Sequence, residues 1–113
     1  MTSTVDSEEV RDIATGEIEL YSAWFGPSLY GDTLASVVSV EQTDGESTLT
    51  LSSGTINSGG AVDVDGKSRA ASTVVQYQVT VPSDADAGAY VVTVTATTAA
   101  GRRRKLRCLL RVV

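Results

Sequence analysis

The chain has 113 residues, enough for one domain with a single hydrophobic core, and its net charge is −5. It has no histidine and one cysteine, Cys108, which excludes an intrachain disulfide and removes the histidine-dependent nucleophiles and metal sites. No apolar run is long enough to span a membrane, and the acidic first residues lack the layout of a signal peptide. We therefore expect a cytoplasmically made protein without membrane contact.

The first third of the chain predicts an arm followed by a strand. Residues 1–16 are acidic and poor in apolar side chains, which predicts an N-terminal arm with a short helical turn over residues 7–13, capped by Ser7. Residues 17–24 alternate with a period of two and predict the first strand. Glycine and proline in residues 25–33 then predict a loop or a short helical turn.

The middle of the chain predicts shorter strands joined by turns. From residue 34 to 42 the period of two returns, and it predicts Leu34, Val38 and Val40 on one face. The later segment DVDG, Asp63 to Gly66, superficially resembles part of a calcium loop, but the glutamate that would complete the loop is missing. A turn at Asp65 and Gly66 between strands is favoured.

The last third contains the three strongest predicted strands. Their inward faces are predicted to be Val75, Tyr77, Val79 and Val81; Tyr90, Val92, Val94 and Ala96; and Leu106, Cys108, Leu110 and Val112. Cys108 is thus predicted to be a buried, inert thiol. The chain shows about seven strands at intervals near ten residues, which is typical of a β-sandwich or barrel.

The segment SDADAGAYVV narrows the fold prediction. Asp86, Gly88 and Tyr90 resemble the tyrosine corner of immunoglobulin-like sandwiches, in which the tyrosine hydroxyl binds backbone a few residues upstream. Val92 stands where immunoglobulin domains have their second cysteine. We predict an all-β chain with one immunoglobulin-like β-sandwich of about seven strands over residues 17–113, after the arm of residues 1–16.

The two ends of the chain resemble a family of tailed-phage proteins, the fiber-tail adaptors. The resemblance covers GEIELYSAWFGPSLYGDTLASV near the start and YVVTVTATTAAGRRRKLRCLLRVV at the end, and depends on Tyr21, Trp24, Gly31, Asp32 and Thr33 together with Thr97, Thr98, Ala100, Gly101 and Arg102. The chain departs from the family in its middle, at GAVDVDGKSRAAS, and in the basic residues after Arg102.

This resemblance implies a non-enzymatic structural protein of a phage virion, assembled in the host cytoplasm. It would be an adaptor or connector that joins tail or fiber components, present in several copies and contacting other virion proteins of the tail, neck, fiber or capsid. An immunoglobulin-like decoration protein of the capsid is the alternative. A bacterial surface adhesion module is weaker, because we expect no signal peptide.

The charges of the chain are separated along the sequence. Residues 1–66 hold 12 acidic and 1 basic residue, whereas residues 67–113 hold 2 acidic and 8 basic residues. We predict that the basic segment binds acidic protein surface, either a virion protein or the arm of another copy. The residues assigned to these contacts are Arg102, Arg103, Arg104, Lys105 and Arg107 on the basic side and Glu8, Glu9 and Asp12 on the acidic side.

Other functions receive less support from the sequence. Nucleic-acid binding competes for the same basic residues, but the negative net charge and the lack of interleaved aromatic residues disfavour it. We identify no catalytic residue, metal ligand or cofactor site. Trp24 and Phe25 are either core residues at a strand end or an exposed anchor for a partner.

Overall fold

A computed structural model describes residues 2–6 and 11–113, and its regular secondary structure is almost entirely strand. The elements are β1 (Thr2–Asp6), β2 (Arg11–Ile13), β3 (Ile18–Trp24), α1 (Gly26–Leu29), β4 (Leu34–Asp44), β5 (Thr50–Leu51), β6 (Thr55–Ile56), β7 (Val62–Val64), β8 (Lys67–Arg69), β9 (Val74–Thr80), β10 (Gly88–Thr98) and β11 (Arg103–Val112). Within the described residues, no helix is long and apolar enough to cross a membrane.

The strands form two main sheets and one separate hairpin. In the front sheet the order is β1-β11-β10-β4, and β2 also pairs with β11. In the back sheet the order is β3-β9-β5, and β6 also pairs with β9. Among the described strands, β7 and β8 pair only with each other. The core contains side chains from both main sheets, so the prediction of an all-β sandwich is confirmed.

The strand order is that of immunoglobulin-like sandwiches. Strands β3, β9 and β5 correspond to the three-strand set B-E-D, and β4, β10 and β11 correspond to the set C-F-G. The tyrosine corner is also present, because the Tyr90 hydroxyl donates a hydrogen bond of 2.6 Å to the carbonyl oxygen of Asp86. Gly88, between these two residues, has a φ of 142°, which favours glycine.

The predicted inward faces of the last three strands are confirmed. Every residue predicted to face inward on β9, β10 and β11 is buried in the core cluster. On β3 the buried position is Ala23, whereas Ile18 and Leu20, on the more apolar face, are exposed. The prediction for β4 was partly wrong. A bulge at Val38 shifts the phase of the strand, so that Val38 is exposed and Val37 packs against the core with Val40.

Two strands of the front sheet, β1 and β2, lie within residues 1–16, the segment predicted to be a separate arm. Strand β1 pairs in parallel with residues 103–107 of β11, and β2 pairs in parallel with residues 110–112. The helical turn predicted over residues 7–13 is replaced by strand at Arg11–Ile13, while residues 7–10 lie outside the described part. Ile13 is buried in the core, so this segment belongs to the sandwich.

Candidate interaction surface

The basic segment begins at the turn that joins β10 to β11. This turn is closed by hydrogen bonds from the Thr98 amide to the Arg102 carbonyl at 2.7 Å and from the Gly101 amide to the Thr98 carbonyl at 2.9 Å. The Arg102 amide also donates to the Thr98 hydroxyl oxygen. Gly101 has a φ of 84°, a conformation that glycine adopts without strain. The turn therefore presents Arg102 and Arg103 at a defined end of the sandwich.

Asp32, which is distant in sequence, stabilises this turn by hydrogen bonds. Its carboxylate accepts hydrogen bonds from the amides of Ala100 at 3.2 Å and Thr33 at 2.8 Å. The Thr33 carbonyl in turn accepts a hydrogen bond from the Ala99 amide. The hydrogen bond from the Thr98 hydroxyl, followed by that from the Thr33 amide, lowers the pKa of Asp32 below its usual value. Asp32 thus joins the two segments that carry the phage resemblance.

Arg104 differs from the other basic residues of this segment. It is buried, and its Nε donates a hydrogen bond of 2.8 Å to the Ser28 carbonyl oxygen. Ser28 belongs to α1, whose four residues leave their last carbonyl groups without partners inside the helix. The guanidinium satisfies one of these groups. Arg104 therefore cannot contact a partner as predicted, and its role is structural.

The remaining cations form a surface that we name the basic ridge: Arg102, Arg103, Lys105 and Arg107. Arg103, Lys105 and Arg107 alternate with the buried side chains of β11, so the strand directs them to the outer face of the front sheet. Arg102, Arg103 and Arg107 are exposed, and Lys105 is half-buried. Within residues 2–6 and 11–113, Arg102, Arg103 and Lys105 form no ion pair.

The acidic residues assigned to partner contacts are only partly described. Glu8 and Glu9 lie outside the described residues. Asp12 accepts two hydrogen bonds from Arg111 of the same chain, at 3.0 Å from Nε and 2.7 Å from the terminal nitrogen. This bidentate bond lowers the pKa of Asp12 and raises that of Arg111. Asp12 is therefore already paired with a cation of its own chain, Arg111.

The end of the sandwich opposite the ridge is acidic. Strand β10 has eleven residues and runs from one end to the other, which places the two ends about 35 Å apart. The turns at the far end meet through the Gly16 amide, which binds the Val81 carbonyl, and the Asp86 amide, which binds the Ser47 hydroxyl oxygen. The acidic side chains carried by this end, all exposed, are Glu17, Asp44, Glu46, Asp84 and Asp86.

The structure also locates the two aromatic candidates. Phe25 is fully buried in the core, which settles the open choice for this residue. Trp24 is half-buried, and the Arg69 guanidinium carbon lies 3.4 Å from its ring centroid, a cation–π contact. Its ring also contacts Gly26, where an added Cβ would lie 2.3 Å from the indole. Neither residue forms a free anchor.

Cys108 is buried as predicted, with 7% of its surface exposed. Burial raises the pKa of its thiol to about 11, which keeps the thiol protonated at neutral pH. A hydrogen bond with the Tyr77 side chain acts in the opposite direction. Burial also raises the pKa of Tyr77. These groups pack in the core and are not exposed to a substrate.

No protein-family model matches this chain, and no curated protein sequence matches it. Sequence reasoning missed three features: the Asp32 hydrogen bonds, the burial of Arg104 and the exposure of Ile18 and Leu20. Of these, only the burial of Arg104 had a signal in the sequence. Arg104 lies two and four residues before Leu106 and Cys108, so it shares their face of β11.

Proposed function

We propose that this protein is a non-enzymatic structural component of a tailed-phage virion. It acts as an adaptor or connector that joins tail or fiber components through protein contacts. The observation that carries this proposal is the Asp32 cluster, in which the GDT segment of residues 31–33 holds the TTAAG turn of residues 97–101 by hydrogen bonds. The two segments that resemble the phage family are thus parts of one structural feature.

The basic ridge next to this turn is the surface that we assign to the partner. Three of its cations have no ion pair within the described residues, so their charges are available for an acidic surface. The partner is an acidic virion protein or the acidic end of another copy, since Asp12 is already paired with Arg111. A contact between unlike ends of two copies is heterologous, and it closes into a ring when the rotation allows.

The proposal can be tested by locating the chain in purified particles of the phage that encodes it. We expect peptides of the chain to remain with particles purified by density gradient, and a labelled copy to be located at the neck, tail or fiber attachment site in electron micrographs. Label over the capsid faces would support the decoration protein instead. Recovery of the chain only in the soluble lysate, with none in the particles, would contradict both functions.

Two charge-reversal variants test whether the basic ridge contacts the partner. Arg103→Glu and the control Lys67→Glu each change the net charge by two units, and both positions are exposed. We expect Arg103→Glu to reduce incorporation into particles several-fold and Lys67→Glu to leave it unchanged. Equal incorporation of both variants would remove the ridge from the interface. A salt-dependent gel shift with duplex DNA that is lost in Arg103→Glu would assign the ridge to nucleic acid.

A further inference from the structure

The hairpin of β7 and β8 lies outside both main sheets. Its strands, Val62–Val64 and Lys67–Arg69, pair with each other and with no other strand in the part of the chain that the structure describes. The turn between them has Asp65 at a φ of 55° and Gly66 at a φ of 80°, which is the pattern of a type I′ turn. The hairpin therefore forms its turn and ladder locally, and within residues 2–6 and 11–113 it makes no ladder hydrogen bonds to the sandwich.

The base of the hairpin is held by one buried side chain, that of Asn57. Its amide nitrogen donates to the carbonyl oxygens of Gly60 at 3.1 Å and Ala70 at 2.9 Å. Its carbonyl oxygen accepts from the amides of Thr73 at 3.1 Å and Val74 at 3.0 Å. These bonds connect the residues before and after the hairpin to the start of β9, so the base of the hairpin is attached to the back sheet.

Side chains join the body of the hairpin to the sandwich at several points. Asp65 at its turn forms an ion pair with Arg11 of β2, in the front sheet. Arg69 lies over Trp24 of β3, in the back sheet. Val64 is 6% exposed and packs between these contacts. The hairpin thus bridges the two sheets along one open side of the sandwich.

A cavity of about 40 Å³ lies beneath the hairpin. It is lined by Tyr21, Trp24, Tyr77 and Cys108 together with Val64 of the hairpin. The volume is sufficient for a water molecule. The Tyr21 hydroxyl is buried and has no hydrogen-bond partner within the described part of the chain. An unsatisfied hydroxyl is unfavourable in a closed cavity, and water entering from the side would satisfy it.

We propose that the β7–β8 hairpin is a flap, which swings about its Asn57 base and is latched by the Arg11–Asp65 ion pair, and that it controls access to this cavity. Within the described residues, opening breaks no ladder hydrogen bond between the hairpin and the sandwich. It separates the side chains of Val64, Asp65 and Arg69 from the sandwich, and it therefore requires less free energy than unfolding of the sandwich. The latch is a partly exposed ion pair and is therefore weak and screened by salt. This inference does not depend on the proposed function.

The chain contains its own probe of opening. Cys108 is its single cysteine and lines the cavity, so its thiol reacts with a small neutral reagent such as methyl methanethiosulfonate only when the cavity is accessible. We expect Asp65→Asn to raise the modification rate several-fold and to abolish its increase with salt. The control Asp63→Asn removes an equal charge from the same hairpin, at an exposed position with no ion pair among the described residues, and its rate should equal that of the wild type.

Global stability separates opening from unfolding. The urea midpoints of the wild type, Asp65→Asn and Asp63→Asn are measured in parallel. If the hairpin opens locally, Asp65→Asn raises the rate of Cys108 modification by a larger factor than it raises the equilibrium constant for unfolding. Hydrogen exchange should also be faster in residues 62–69 than in residues 74–80. Equal rates in both variants, or a rate increase that follows the loss of global stability, would overturn the flap.

Discussion

The Tyr90 side chain connects two turns at the acidic end of the sandwich. Its hydroxyl donates to the Asp86 carbonyl oxygen and accepts a hydrogen bond of 3.2 Å from the Ser47 amide. Its ring packs directly on Gly45, where an added Cβ would lie 2.1 Å from a ring carbon. One buried oxygen thus serves as donor and acceptor between segments that are distant in sequence, which stabilises the corner.

We expect Tyr90→Phe to lower the free energy of unfolding by about 1–3 kcal/mol. The substitution keeps the ring but leaves the Asp86 carbonyl and the Ser47 amide without a partner. Tyr30→Phe is the matched control, because Tyr30 is 81% exposed, and it should change stability by less than about 0.5 kcal/mol. Urea unfolding followed by circular dichroism measures both, and equal stabilities would show that the hydroxyl does not lock the corner.

At the scale of elements, strand β11 places consecutive basic residues on opposite faces of the sheet. Arg103, Arg104 and Lys105 are consecutive, but the period of two sends the first and third outward and the second into the protein. Arg104 is tolerated there because its Nε binds the Ser28 carbonyl oxygen. Neighbouring arginines of one motif therefore have different environments, one exposed and one buried.

Alanine substitutions at these neighbours should have different costs. Arg104→Ala removes a charge-assisted hydrogen bond and leaves the Ser28 carbonyl unsatisfied, so we expect a loss of about 2–3 kcal/mol. Arg103→Ala changes an exposed side chain and should cost less than about 0.5 kcal/mol. Thermal and urea unfolding measure both variants. Similar losses at the two positions would contradict the assigned orientation of β11.

The regularity of each strand determines how much of it the sequence could predict. Strands β9, β10 and β11 alternate without interruption on their inward faces, and the Asp65-Gly66 turn follows local conformational preference, so both were predictable. The bulge at Val38 was not, because it depends on pairing with β10. The Asp32 hydrogen bonds to the β10–β11 turn join residues 68 positions apart, and no local pattern indicates them.

At the scale of the whole molecule, the sandwich includes the segment that sequence analysis assigned to an arm. Strand β2 has three residues, too few for a periodic pattern, and its position is determined by pairing with β11. The Val113 amide donates a hydrogen bond of 3.0 Å to the Ile13 carbonyl oxygen, which extends the pairing of β2 with β11 by one residue. The Ile13 side chain is 2% exposed and belongs to the core cluster.

Two isoleucines test whether this segment is part of the cooperative fold. Ile13→Ala leaves a cavity in the core, and we expect it to lower the free energy of unfolding by about 2–5 kcal/mol. Ile18→Ala removes the same atoms from a side chain that is 59% exposed, and it should cost less than about 1 kcal/mol. Urea unfolding of both variants gives the difference. Two small and equal losses would mean that the sandwich is complete without β2, whereas the expected difference makes β2 part of the single core.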